Sequence, residues 1–211
     1  MKINRKHQQT IWLKENNEKI IQVFDQRFFP HQINIFDITN TSEAIYAIKE
    51  MIVRGAPLIG VTAAYGMYLA CIEAKEKNNP NEYIVEVSKK LNATRPTAVN
   101  LSWAIDMMQK AINAESSIQK KIEVALKTAN QIKQDDIDIC YHIGKHGLAL
   151  IKAIAKEKNG ETVNILTHCN AGWLATIDWG TALSPIYHAQ KEGIDVHVWV
   201  DETRPRNQGA N

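Results

Sequence analysis

The chain has 211 residues, 45% of them hydrophobic and 23% charged, the balance of a folded globular protein rather than a disordered one. Its net charge of +2 is too small to argue for a nucleic-acid partner, and no apolar run approaches the length of a membrane span. The first ten residues lack the apolar core of a signal peptide, and three scattered cysteines, Cys71, Cys140 and Cys169, read as reduced thiols. A soluble, cytoplasmic protein of mixed α and β structure is expected.

Taken in order, residues 10–13 and 19–25 are β-prone runs around Glu15-Asn16-Asn17-Glu18 and predict a hairpin, which Pro30 closes. Thr41 or Ser42 is placed to cap a helix in which Ala44, Ile45, Ile48, Met51 and Ile52 recur at helical spacing. Arg54-Gly55-Ala56-Pro57 breaks it, the glycine allowing an unusual backbone angle and the proline suited to open a new helix. That helix, from residue 58 to about 75, is small and apolar on all sides. It belongs at the centre of the N-terminal half, with Cys71 as a buried hydrophobe. A turn at Asn78-Asn79-Pro80-Asn81 leads to an amphipathic helix over 83–92. Thr94-Arg95-Pro96-Thr97 interrupts the pattern before Leu101, Ile105, Met108 and Ile112 resume it. Residues 118–158 read as one long helix or two, punctuated by Gly144 and Gly147. A strand over 163–166, a helical segment with Ala175, Ala182, Tyr187 and Ala189, and a strand over 196–200 complete a strand–crossover–parallel strand unit.

In open α/β sheets ligands collect at the carboxyl ends of strands, which here carry His168-Cys169-Asn170 and Asp201-Glu202-Thr203-Arg204. Cys169 is either an inert half-buried thiol or a reactive one, activated by a helix N-terminus to which adjacent positive charge or a protonated histidine would add. Asn170-Ala171-Gly172 offers backbone N–H groups to an anionic oxygen, without the spacing of a dinucleotide or P-loop fingerprint. Arg54 and Arg95 each stand in a proline-containing break, either as solvated charges or as planar forks for a phosphate. Cys140, His142 and His146 lie close enough to consider a metal, but no Glu follows His142 as a zincin requires, and Gly144 weakens the helix. A serine triad has no G-x-S-x-G to stand on.

Four segments together resemble the signatures of the S-methyl-5-thioribose-1-phosphate isomerase family. They are M-I-V-R-G-A-P-L-I-G-V-T-A-A-Y-G from Met51, T-R-P-T-A-V-N-L-S-W-A-I-D from Thr94, I-L-T-H-C-N-A-G-W-L-A-T from Ile165 and V-D-E-T-R-P-R-N-Q-G-A from Val200. V-F-D-Q-R-F-F-P and D-I-D-I-C-Y-H-I-G-K-H-G are similar to that family as well. The resemblance implies an α/β chain: a mainly helical N-terminal domain with a small β element, over 1–150, then the first part of a Rossmann-like parallel-sheet domain, over 151–211. It implies aldose–ketose isomerisation of a sugar 1-phosphate in methionine salvage, no metal or organic cofactor, and a homodimer when full length. Carried onto matching positions, it makes Cys169 the catalytic thiol and Arg54, Gly55, Ala56, Arg95 and Gln208 substrate-binding residues.

Members of that family continue well past the Q-G-A segment, with an aspartate that partners the cysteine and a later Asn-Lys segment. A truncated or frameshifted product, inactive and poorly soluble alone, is therefore expected, with a parallel sheet that has an apolar edge and one uncovered face. Neither Asp178 nor Asp201 is assigned the missing role. Isomerases of 5-deoxyribose 1-phosphate or ribose 1,5-bisphosphate, and non-catalytic regulatory subunits of initiation factor 2B, share the resemblance and remain alternatives.

Overall fold

In the computed structural model of the chain, residues 2–3 and 6–201 are described. Two short strands, β1 (Lys2–Ile3) and β2 (Lys6–His7), pair antiparallel. β3 (Ile11–Lys14) and β4 (Asn17–Phe24) form the expected hairpin, Asn16 taking a left-handed φ of 62° at its turn. The sheet does not stop at Pro30: β5 (Ile35–Ile38) returns along β4 to make three antiparallel strands. Ile21, Val23 and Ile38 are buried, so the third strand completes an apolar face that the hairpin alone would leave open.

Helix α1 (Thr41–Lys49) is capped one residue earlier than expected. Asn40 is extended and its side chain accepts from the Glu43 amide at 2.9 Å. The Glu43 carboxylate in turn accepts from the Thr39 amide at 2.7 Å and hydroxyl at 2.8 Å. Thr41 cannot serve because its amide and hydroxyl both donate to Glu73, at 2.7 and 2.8 Å. Helix α2 (Ala56–Ala74) begins after Gly55, whose φ of 103° is closed to side-chain-bearing residues, and Pro57 stands in its first turn. Every residue from Leu58 to Cys71 is buried. On length and hydropathy α2 matches a membrane span, contrary to the expectation that no such segment exists; its burial within the protein accounts for the apolarity.

Helices α3 (Pro80–Asn92) and α4 (Val99–Asn113) pack with α1 around α2. Helix α5 (Ile118–Glu157) is one uninterrupted helix of 40 residues. Its first half joins the α2 core through Ala125, Ala129 and Ile132, and Asn130 accepts the Tyr65 hydroxyl at 2.7 Å. The chain divides within α5 into two compact units, residues 11–135 and residues from 136 together with those before 11.

In the second unit, β6 (Val163–Thr167) and β7 (Val196–Val200) pair in parallel, Val163 beside Val196 and Thr167 beside Val200. Between them the helical segment is shorter than the sequence pattern suggests. A single 3₁₀ turn (Trp173–Ala175) precedes α6 (Ser184–Lys191), and the backbone between them is irregular. Trp179 at φ 70° and Gly180 at φ 77° break the helical path. Leu148 and Ile151 of α5 and Ala189 of α6 cover one sheet face, over Val163, Ile165 and Val196. The other face carries Leu166, 69% exposed, and Trp199, 57% exposed. The residues before 11 join this unit where the Thr10 hydroxyl donates to the Thr176 carbonyl at 2.6 Å and its amide to that of Ile177 at 3.1 Å.

The cap assignment is testable. Asn40→Ala is expected to lower unfolding free energy by about 0.5–2 kcal/mol, and Ser42→Ala, at an exposed position, to change it by less than about 0.5 kcal/mol. Urea denaturation of both variants decides the matter, and a larger loss for Ser42→Ala would return the cap to its original assignment.

Candidate active site

Three helices in the first unit, α2, α3 and α4, start without a side-chain cap hydrogen bond, and before two of them the cap residue has no side chain that could make one. Those two are Gly55 before α2 and Ala98 before α4. The amides of Ala56 and Leu58 in α2, and of Val99 and Asn100 in α4, have no carbonyl ahead of them in their own helix. These starts are neighbours: a Cβ built on Gly60, the fifth residue of α2, would lie 2.9 Å from the Asn100 carbonyl oxygen in the first turn of α4. At 1.5 Å rise per residue, Gly60 is about 6 Å from the start of α2. Two positive helix ends therefore sit side by side, an arrangement suited to an anion.

Each start is led by an arginine. Arg54 is not a solvated surface charge: it is 8% exposed, with Nε donating to Gln26 Oε1 at 3.3 Å and a terminal nitrogen to the Gln26 carbonyl at 3.2 Å. Gln26 is itself buried, and its amide donates to the Ile52 carbonyl at 3.0 Å. Beside it Asp25, also buried, takes a two-pronged bond from Arg27, Nε at 2.9 Å and a terminal nitrogen at 2.7 Å. That pairing raises the Arg27 pKa further above its already high value. Gln26 is the residue that sequence reasoning missed. It lies in V-F-D-Q-R-F-F-P, a segment noticed for its resemblance but given no role. Arg95 is half-buried, its carbonyl accepting from the Ala98 amide at 3.0 Å, and its guanidinium makes no hydrogen bond or ion pair among the described residues. Gly55 is half-buried and Ala56 exposed at the opening of α2.

In the second unit Cys169 is the exposed cysteine, while Cys71 and Cys140 are buried. It follows β6 by two residues at φ 65°, a left-handed conformation uncommon for a side-chain-bearing residue. The helix N-terminus that was to polarise it is the three-residue 3₁₀ turn, too short to carry a macrodipole argument. One residue before it, His168 Nδ1 meets Asp201 Oδ2 at 3.1 Å across the two strand ends. Among the described residues the buried hydroxyl of Thr167 has no hydrogen-bond partner. Gln208 lies outside the described residues.

Behind this loop, α5 presents Asp136 and Cys140 to the irregular segment. The Ile177 amide donates to Asp136 Oδ2 at 2.9 Å, and burial outweighs that bond, pushing the carboxyl up to about 6. Burial, helped by Asp136, pushes the Cys140 thiol up to about 12, the mark of an inert structural cysteine. His142 and His146 stack with ring centroids 6.4 Å apart, and His142 Nδ1 bonds to the Asp138 carbonyl oxygen at 2.6 Å. Among the described residues no group of three or more His, Cys, Asp and Glu side chains is placed to hold a metal ion.

The chain is similar to known proteins over nearly its whole length. Methylthioribose-1-phosphate isomerase of Desulfatibacillum aliphaticivorans is 50% identical over 210 residues, which are 100% of this chain and 57% of that protein. The crystal structure of 5-methylthioribose 1-phosphate isomerase from Pyrococcus horikoshii OT3 superposes with a TM-score of 0.81 at 32% identity, over 98% of this chain and 56% of that one. Subunit delta of translation initiation factor eIF-2B from A. fulgidus gives 0.77 at 33% identity, over 97% and 57%. Fold and residues thus define an α/β protein of the class that these isomerases share with initiation-factor subunits. The model of the Initiation factor 2 subunit family matches residues 52–211, and the chain belongs to that family. It spans about half the length of the curated relatives it matches, 57% in one and 54% in another.

Two outcomes follow from the geometry. Gly60→Ala puts a methyl group against the Asn100 carbonyl, although alanine is the better helix former by about 1 kcal/mol. A loss of affinity for inorganic phosphate on the order of tenfold is expected by calorimetric titration; equal affinity would dissociate the paired helix starts from anion binding. For Asp136, the folded pKa of about 6 exceeds the ordinary 3.8. The folded state therefore holds the proton more tightly, and the stability it adds is complete below about 3.8 and lost as pH rises through about 6. Asp136→Asn lacks this loss and should gain on the wild type across that window, by on the order of 1 kcal/mol for a partly buried group. A urea-midpoint difference that stays constant with pH would contradict the assignment.

Proposed function

We propose that the chain carries the substrate-binding residues and reactive thiol of an aldose–ketose isomerase that converts 5-methylthioribose 1-phosphate to 5-methylthioribulose 1-phosphate. The observation that carries the reading is the pair of neighbouring, uncapped helix starts, each led by an arginine. A separate support is the exposed cysteine at the carboxyl end of a parallel strand, in a chain half identical to a methylthioribose-1-phosphate isomerase. Arg54, Gly55, Ala56, Arg95 and Gln208 are assigned to substrate and Cys169 to the chemistry. A homodimer in the full-length form and a cytoplasmic location belong to the same reading.

The chemistry explains the residue types. A phosphate on the anomeric oxygen locks the sugar as a ring that cannot open spontaneously to an aldehyde. Cleavage of the bond between C1 and the ring oxygen leaves the electron pair on that oxygen, which takes a proton. Hydrogen then leaves C2 and arrives at C1 while the C2 hydroxyl becomes a carbonyl, so the product has the composition of the substrate. Arginine forks and helix-start amides hold the dianion through both steps. One group must give the ring oxygen its proton and another must serve C2; Cys169 is one, and an acid beyond the stretch matched to the relatives is the second.

Conversion of the sugar phosphate, followed by ¹³C NMR, tests the proposal with the 211-residue chain alone and with the same chain extended by the remaining portion of the Desulfatibacillum relative. The extended protein is expected to turn over, and Cys169→Ala to reduce its rate by at least about 10²-fold. The shorter chain is expected to be inactive. A well-folded extended protein without turnover, or one whose rate survives Cys169→Ala, sinks the assignment. A non-catalytic regulatory role, the reading suggested by likeness to the delta subunit, would then take its place.

A further inference from the structure

The strand ends hold a pairing that the roles above leave unused. The β6–β7 ladder closes with a bond from the Asp201 amide to the Thr167 carbonyl at 3.1 Å. Directly beyond it, His168 and Asp201 join side chain to side chain, 33 positions apart in sequence. Both are well exposed, 72% for the histidine side chain and 49% for the aspartate. An exposed pair of this kind contributes at most about 1 kcal/mol, so stability is a poor reason for it. What it does do is fix the residue before Cys169, at the point where the backbone turns left-handed and presents the thiol to solvent.

His168 is the backbone neighbour of Cys169, their Cα atoms being about 3.8 Å apart. Nδ1 faces the carboxylate and so carries hydrogen, which sets the ring orientation and leaves Nε2 as the atom that gains or loses a proton. A cation beside a thiol favours the thiolate, the form that acts as nucleophile or proton acceptor. Among the described residues, Asp201 on β7 is the charged group that meets the imidazole. With the helix start reduced to a 3₁₀ turn, activation of this cysteine calls for a side-chain charge.

We propose that His168, held by Asp201, is the positioning residue of Cys169: it sets the turn that presents the thiol and, when protonated, supplies the positive charge that makes it reactive. The inference rests on the reading of Cys169 as a working thiol, but its test is independent of turnover.

The test is the alkylation rate of Cys169 by iodoacetamide, an uncharged reagent, in the 211-residue chain at about pH 6, where an ordinary imidazole is largely protonated. Cys71 and Cys140 are buried, and their lack of reaction reports that each variant is folded. His168→Gln is expected to slow alkylation by about tenfold. His168→Lys, which keeps a charge without the ring, is expected to stay within about threefold of the wild type, and Asp201→Asn to fall between the two. Equal slowing by glutamine and lysine would mean that only the shape of the turn matters, and a wild-type rate for His168→Gln would remove the residue altogether; either overturns the proposal. A wild-type rate for Asp201→Asn overturns the part given to the aspartate. Because the measurement reads thiol chemistry alone, an extended protein that fails to isomerise leaves a positive result standing, and a negative result here leaves the isomerase reading intact.

Discussion

A helix with no polar face must be covered on every side, and α2 sets that condition for the first unit. Burial from Leu58 to Cys71 leaves it no solvent-facing stripe, so α1, α3, α4 and the start of α5 are arranged around it. The cost of so apolar a segment is lowered by its small residues. Gly60 lets α4 approach to backbone contact, and Gly66 fits against Ala44 and Leu91. Polar groups that the wrapping buries are partnered: Tyr65 bonds to Asn130, and burial raises its phenol pKa far above the usual value. Lys121 spends its ammonium group on the Ile112 carbonyl at 3.0 Å.

The pairing of the two helix starts is a by-product of that packing. A central helix needs a start, and one opened by Gly55 and Pro57 has no side chain to satisfy its first amides. When α4 is drawn in against Gly60, its own uncapped start arrives beside the first. Arg54 is then held by Gln26, in the segment that ends the antiparallel sheet, so sheet, helix break and helix core converge on one guanidinium.

Much of this was legible because it follows from short-range rules. The hairpin, the Arg54 break, the apolar helix and the β6 and β7 strands rest on spacing, glycine and proline, and the parallel pairing is as expected. The misses have a common cause in side chains that act over distance. Thr41 has the right residue type for a cap, but Glu73, 32 positions on, claims its donors. The crossover helix is broken at Trp179 and Gly180, where an aromatic cluster takes over: Tyr141 and His188 pack on Trp179 with ring centroids 5.5 and 4.5 Å away, and Lys191 lies over its face. No periodicity encodes such a cluster. The tie between Gln26 and Arg54 was not legible, since a glutamine in a turn carries no signal of what it will hold.

The three cysteines show how little the residue itself decides. Cys71 lies in the middle of α2, where burial pushes its thiol up to about 12, and Cys140 is driven to a similar value by burial beside Asp136. Both are thereby kept as protonated, apolar groups that fill space. Cys169 differs in everything but its side chain: it stands beyond the end of a strand, in a left-handed turn, open to solvent and next to a histidine held by an aspartate from the neighbouring strand. A parallel pair of strands is what makes this possible, because both carboxyl ends emerge at the same edge and bring residues 168 and 201 together without a turn between them. The placement of this thiol is therefore a property of the sheet's direction.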